Sequence, residues 1–153
     1  MMTVFVFLIV AQFAITASHD LLDIPGWNHG SQVKAYLGKR KIWLATLINS
    51  IFPAIAVGLA VYFWHRSTPR LAPDYWLVYC GISLLSAIGM WYIPYWRGAS
   101  EKTKRAYHAM YAGTRYILPA RGDNPRPNVF HMGLHVLYVT TFCVALAIWL
   151  HRG

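Results

Sequence analysis

Four long apolar runs, separated by connections rich in Lys and Arg, constrain this chain more than any other feature of its sequence. The runs cover about residues 3–22, 42–64, 75–96 and 129–150. Each is close to the roughly 20 residues that an α-helix needs to cross a bilayer. Only 12% of the 153 residues are charged, whereas about a quarter are charged in soluble domains. The sequence therefore predicts an all-α membrane protein, a bundle of four transmembrane helices that forms one integral membrane domain over residues 1–153.

The basic residues are distributed unequally between the two ends of this predicted bundle. With four spans, one side holds the connections 23–41 and 97–128, and the other holds the connection 65–74 and the chain ends. The first side carries Lys34, Lys39, Arg40, Lys41, Arg97, Lys102, Lys104, Arg105, Arg115, Arg121 and Arg126, and the second carries Arg66, Arg70 and Arg152. Cytoplasmic loops are enriched in Lys and Arg, so we expect a multi-pass protein with both termini on the non-cytoplasmic side.

The net charge of +9 follows from these loops, which suit anionic lipid headgroups. Membrane lipids are therefore the expected partners, and the sequence leaves open a homo-oligomer or a membrane protein partner. Nucleic acid is not expected, because the basic residues flank apolar runs and form no recognition motif.

The connection between the third and fourth runs has a helical pattern of its own. ASEKTKRAYHAMYAGTRYILP places Tyr107, Met110 and Tyr111 on one face and basic residues on another. We expect an amphipathic interfacial helix here, with Ser100 as its N-cap and Pro119 as its end. Asn128 is the expected N-cap of the fourth span.

Small residues on the second and third runs predict how these two helices pack. The connection HRSTPRLAPD is short, so the two runs should form a tight antiparallel hairpin. We expect Ala56 and Ala60 on one helix to face Ser83 and Ala87 on the other.

Two histidines, His131 and His135, stand four residues apart at the start of the fourth run. Residues with this spacing share one face of a helix. The first run ends on the same side of the predicted bundle, with His19 and Asp20. Alternating topology should therefore bring all four side chains to one cytoplasmic edge. Asn49 and Tyr92 fall near the same level and should support them in a polar pocket, since polar groups in hydrocarbon need partners.

This group of residue types is compatible with more than one role. Imidazole and carboxylate groups bind divalent transition metals, so His19, Asp20, His131 and His135 are a candidate site for zinc, iron or manganese. A metal-free His-Asp pair can instead act as a general acid and base. The structural alternative is that the histidines only form hydrogen bonds between helices.

Arg121 and Arg126 lie in the loop before the fourth run, where their side chains could bind a phosphate or carboxylate headgroup. The sequence thus predicts a small membrane protein with a His/Asp site that acts on a lipid-like substrate. A non-enzymatic scaffold or accessory subunit, whose polar residues only fasten helices, is the alternative.

Overall fold

The structure, a computed structural model, describes residues 1–151, so Arg152, counted above, lies outside the described residues. Most of the chain is helical. The helices are α1 (Met2–Ser18), α2 (Gly30–Leu37), α3 (Lys39–Tyr62), α4 (Leu71–Ala87), α5 (Ile93–Arg97), α6 (Glu101–Tyr111) and α7 (Val129–Leu150). A π-helical segment, Ile88–Tyr92, joins α4 to α5, and the strands β1 (Asp23–Ile24) and β2 (Asn28–His29) pair antiparallel.

Three helical stretches in the described chain are long and apolar enough to cross a membrane: α3, Leu71–Arg97 and α7. They coincide with the second, third and fourth predicted runs, and α7 has the predicted bounds. The first run is apolar, but α1 has 17 residues and ends at Ser18, before the predicted end at residue 22. The Asn28 side chain holds the turn that follows, because it donates hydrogen bonds to the His19 carbonyl, which the helix end leaves open, and to the Leu22 carbonyl further along.

The amphipathic helix α6 begins as predicted and ends early. The hydroxyl group of Ser100 accepts a hydrogen bond from the Thr103 amide at 3.2 Å, so Ser100 is the N-cap. The prediction that Pro119 ends this helix was wrong, because α6 ends at Tyr111. Gly113, with φ of 77°, turns the chain in a backbone conformation that glycine adopts without strain.

The core of the bundle lies where α1 packs between α3 and α7. Phe5 and Ile9 of α1 are fully buried there with Ala56, Ala60 and Trp76. The predicted hairpin packing was therefore wrong in detail. Ala56 and Ala60 belong to this buried cluster, whereas Ser83 and Ala87 of α4 line a cavity. The closest packing is of α1 on α3 and of α4 on α7, and α3 and α4 separate over part of their length.

A second buried cluster joins the connections at one end of the bundle. It contains Val33 of α2, Ile42 of α3, and Tyr107 and Tyr111 of α6, and α2 packs against α6. Two backbone hydrogen bonds link the β1–β2 hairpin to the start of α7 through Arg115. The Arg115 amide donates to the Gly26 carbonyl (2.7 Å), and the Val129 amide donates to the Arg115 carbonyl (2.9 Å). The two longer connections thus form one ordered layer over this end.

Gly30 holds the turn that follows α1. Its amide donates to the Leu22 carbonyl group at 3.0 Å. A Cβ atom at this position would lie 2.7 Å from the carbonyl carbon of Leu21 and 2.9 Å from the Asp20 carbonyl oxygen. These are backbone atoms and cannot rotate away as a side chain can. Only glycine therefore allows the junction of β2 and α2 to lie this close to the turn.

We expect Gly30→Ala to displace the backbone that carries His19 and Asp20, with a loss of about 1–3 kcal/mol in unfolding free energy from the forced contact. Thermal unfolding of the detergent-solubilised protein, followed by circular dichroism, would measure the loss. Gly58→Ala is the matched control, because nothing lies within 4 Å of its Cβ position and alanine favours a helix by about 1 kcal/mol. Equal stability of the two variants would contradict the account of Gly30.

Candidate functional site

A cavity of about 770 Å³ occupies the space between α3 and α4. One end is closed where the Tyr75 hydroxyl donates to the Phe52 carbonyl at 3.0 Å and the Trp76 indole donates to the Ala56 carbonyl at 3.1 Å. Side chains of α1 and α7 line its inner wall. The opposite end lies beneath the connection layer and is polar. The volume falls in the usual range for small-molecule sites, about 300–1,000 Å³.

The cavity opens sideways, between α3 and α4. Five large apolar residues both line it and leave more than half of their surface exposed, and all are on these two helices or the π-helical segment: Ile48, Phe52, Val78, Ile82 and Met90. Both helices are irregular beside the opening. Pro53 interrupts the hydrogen bonding of α3, and the π-helical segment, which often marks functional sites, follows α4. The rim is therefore largely apolar, with Asn49 and Ser86 as exposed polar residues, and it faces away from the bundle.

The pair His19 and Asp20 lies at the polar end of this cavity. Nδ1 of His19 is 2.8 Å from the Thr16 carbonyl oxygen, and Nε2 is 3.2 Å from Oδ1 of Asp20. A carbonyl and a carboxylate can only accept hydrogen bonds, so both ring nitrogens must donate to satisfy both contacts. The cationic form of His19, beside the Asp20 carboxylate, is the form that satisfies this geometry.

Asn128 orients the His131 ring through one of its nitrogens. Oδ1 of Asn128 accepts the His131 backbone amide at 2.9 Å and lies 2.8 Å from Nδ1 of the same residue. The backbone contact identifies this atom as oxygen, so Nδ1 of the ring must donate to it. In a neutral ring, Nε2 then carries the lone pair. The ring packs against Trp91, with centroids 4.4 Å apart, and lies 5.8 Å from the ring of His19.

His135 and the two supporting residues also reach this part of the molecule. Nδ1 of His135 lies 3.2 Å from the Tyr92 hydroxyl oxygen. The Tyr92 hydroxyl donates its proton to the sulfur of Met132 at 3.3 Å. Asn49 lines the cavity from α3. The structure therefore brings all four predicted site residues together, with Asn49 on the wall of the same cavity and Tyr92 in contact with His135.

These side chains lie close together, but their arrangement is not that of a metal site. Within residues 1–151, no group of three or more His, Cys, Asp or Glu side chains is arranged to hold a metal ion. The rings of His131 and His135 have centroids 6.4 Å apart, and one nitrogen of each ring is already engaged. The nearest donor set, Nε2 of His19, the Asp20 carboxylate and Nε2 of His131, would have to shift to share one ion.

The two arginines predicted to bind anions have different surroundings. Arg126 donates to the Leu118 carbonyl at 2.7 Å and stacks over the Tyr116 ring at 4.2 Å, so its guanidinium group holds the loop together. Arg121 is exposed and lies 4.2 Å from the centre of the Trp96 ring. Nearby, Asp123 pairs with Lys104 at 2.9 Å, and this hydrogen bond lowers the pKa of the Asp123 carboxyl group.

Sequence reasoning did not identify the aromatic part of this site. Trp91 and Tyr111 pack against the His131 ring, and Tyr79 and Tyr138 line the cavity wall. Tyr111 was expected on the buried face of the amphipathic helix, which was a usable signal. No comparable signal marked Trp91, Tyr79 or Tyr138, because aromatic residues are common in membrane helices whatever their role.

The chain matches no family model, and the searches found no significantly similar curated protein or solved structure.

We expect Asn128→Ala to release the His131 ring and to lower the unfolding free energy by about 1–2 kcal/mol, the usual value of an N-cap. Nitrogen NMR of selectively labelled histidine should show His131 protonated on Nδ1 in the parent protein and a mixture of tautomers in the variant. Ser100→Ala removes the cap of α6 and should leave the His131 tautomer unchanged. Protonation of neutral His131 on Nε2 in the parent would contradict this geometry.

Proposed function

We propose that the protein has four transmembrane spans, α1, α3, Leu71–Arg97 and α7, with both termini on the non-cytoplasmic side. At about 1.5 Å per residue, α1 is roughly 26 Å long, slightly shorter than the hydrocarbon core, and a short span is accommodated by local thinning of the bilayer. The excess of Lys and Arg in the connection layer supports the orientation. In this arrangement, α6 lies at the interface and the exposed Arg121 meets lipid headgroups.

Within this membrane domain, we propose that the cavity binds a lipid-like amphiphile. The observation that carries the proposal is the sideways opening: apolar residues that line the cavity are also exposed on the outside of the bundle. In a bilayer, that rim would face acyl chains, so a lipid could enter without crossing water. The apolar part of the ligand would lie between α3 and α4, and its polar part would reach the histidines at the inner end.

The polar end supports proton transfer as its chemistry. His19, in the cationic form that its contacts favour, would donate to a ligand the Nε2 proton that it otherwise shares with Asp20, and Nε2 of His131 would accept a proton. Their rings are 5.8 Å apart, close enough for both to reach one polar group of a ligand. Asp20 orients His19, and Asn128 orients His131. A general acid and a general base in one site typically accelerate proton transfer by about 10²–10⁴ each.

The decisive experiment fills the cavity and leaves the lipid-facing surface alone. Ala45 lines the cavity, whereas Ala54 is exposed on the same helix and does not line it. We expect Ala45→Trp to reduce the lipid that copurifies with the protein by roughly 5- to 150-fold, because overpacking costs about 1–3 kcal/mol. Ala54→Trp should retain the lipid. Native mass spectrometry of both variants would detect the bound species, and equal retention would contradict the proposed function.

A divalent transition metal is a second candidate for the polar end, because His19, Asp20 and His131 are suitable donors. Plasma mass spectrometry should then find near-stoichiometric zinc, iron or manganese after reconstitution, and the double variant His131→Ala, His135→Ala should lose it. Circular dichroism would verify that the variant is folded. Absence of metal in the reconstituted parent protein would refute the metal site and leave the amphiphile site in place.

A scaffold or accessory subunit remains the alternative from a different class, and hydrogen bonds between helices favour it. The contacts Gln12–Tyr79, Thr16–Tyr138 and Tyr92–His135 each join two helices. If these residues only fasten the bundle, His131→Leu should lower stability or assembly with a homo-oligomer or membrane partner, and copurifying lipid should not change. Loss of bound lipid from a folded His131→Leu protein would argue against the scaffold.

A further inference from the structure

Polar side chains continue from the histidines along the inner wall of the cavity. Gln12 and Thr16 of α1 and its C-cap residue His19 are spaced four and three residues apart and therefore share one face of the helix. On α7, Tyr138 follows His135 with the same kind of spacing. Thr16 and Tyr138 line the cavity, whereas Gln12 is buried outside its lining.

Two tyrosines that line the cavity, Tyr79 of α4 and Tyr138 of α7, each contact a polar side chain of α1 through the hydroxyl group. The Gln12 amide donates to the Tyr79 hydroxyl at 2.8 Å, and Thr16 Oγ1 lies 3.3 Å from the Tyr138 hydroxyl. By the helical rise, Thr16 is about 5 Å and Gln12 about 10 Å along α1 from His19. The Thr16–Tyr138 contact therefore lies closer to His19, and the Gln12–Tyr79 contact lies further from it along α1.

Helix packing does not account for the Gln12–Tyr79 contact, which lies further from His19. Gln12 is completely buried, and its Oε1 atom has no hydrogen-bond partner within residues 1–151. An unpartnered buried acceptor lowers stability, and an apolar residue of similar size would avoid that loss. The Tyr79 hydroxyl accepts a hydrogen bond from Gln12 and also interacts with the Ser83 side chain, which lines the same cavity. A ligand oxygen would replace Ser83 as the acceptor of the Tyr79 proton.

We propose that Tyr79 forms a second polar subsite, which selects a lipid with an oxygen function, a hydroxyl or carbonyl group, about 10 Å from its polar end. Gln12 is a positioning residue that fixes the Tyr79 hydroxyl. This inference rests on the proposed amphiphile site and specifies its ligand class. A plain acyl chain would cover the Tyr79 hydroxyl without offering it an acceptor, whereas a mid-chain oxygen would accept its hydrogen bond.

The test compares two probes, monostearoylglycerol and its mid-chain hydroxystearoyl analogue, titrated against the full-length protein in detergent and measured by native mass spectrometry. The parent protein should bind the hydroxylated probe about three- to tenfold more tightly, the usual net effect of one hydrogen bond. Tyr79→Phe should remove this preference and keep the affinity for the plain probe. Tyr62→Phe, which removes an exposed hydroxyl group outside the cavity lining, should retain the preference.

The outcomes separate this inference from the proposed function. Equal binding of both probes to the parent protein would overturn the subsite and leave the amphiphile site intact. Binding of neither probe, together with no lipid copurifying with the parent, would overturn both.

Gln12→Leu provides an independent readout. If Gln12 serves the ligand, the variant should lose the preference for the hydroxylated probe, and its melting temperature without ligand should be unchanged or higher. A lower melting temperature with the preference retained would assign Gln12 to helix packing and overturn its positioning role.

Discussion

A polar side chain buried among apolar helices needs a hydrogen-bond partner, and the polar end of the cavity depends on that constraint. His19 lies between the Thr16 carbonyl and the Asp20 carboxylate, and His131 is held by Asn128. Each ring is oriented by a group close to it in sequence, at a helix end where backbone donors or acceptors are open. The packing of the connections then brings the two rings close together.

The cavity arises because α3 and α4 pack closely at one end and separate toward the other. Contacts from Tyr75 to Phe52 and from Trp76 to Ala56 join the helices at the closed end. Beyond them, Pro53 and the π-helical segment alter the regular geometry of the two helices where they border the space. A close hairpin would bury more surface, so the open geometry forgoes stability that tighter packing would provide. Such a loss is common at binding sites.

Several features could be predicted because they depend on residues close together in the chain. The bounds of α7 follow from an apolar run that begins after Asn128, and the start of α6 follows from Ser100 as its cap. The end of α6 was missed, because Gly113 sits within a pattern that still reads as helical and the turn is stabilised by Thr114 bonding back to Tyr111. Trp91 was missed because nothing in its local sequence distinguishes a ring against a histidine from a ring against lipid.

The sequence by itself determined that long apolar helices alternate with basic connections, and that His19, Asp20, His131 and His135 lie near helix ends. These properties depend on composition and on the helical period, which act over a few residues. Only the tertiary structure decided that α3 and α4 part around a cavity, that Gln12 meets Tyr79, and that the rings of His19 and His131 lie 5.8 Å apart. These properties depend on contacts between side chains far apart in the chain, and the sequence pattern of one helix carries no information on its neighbour's distance or rotation.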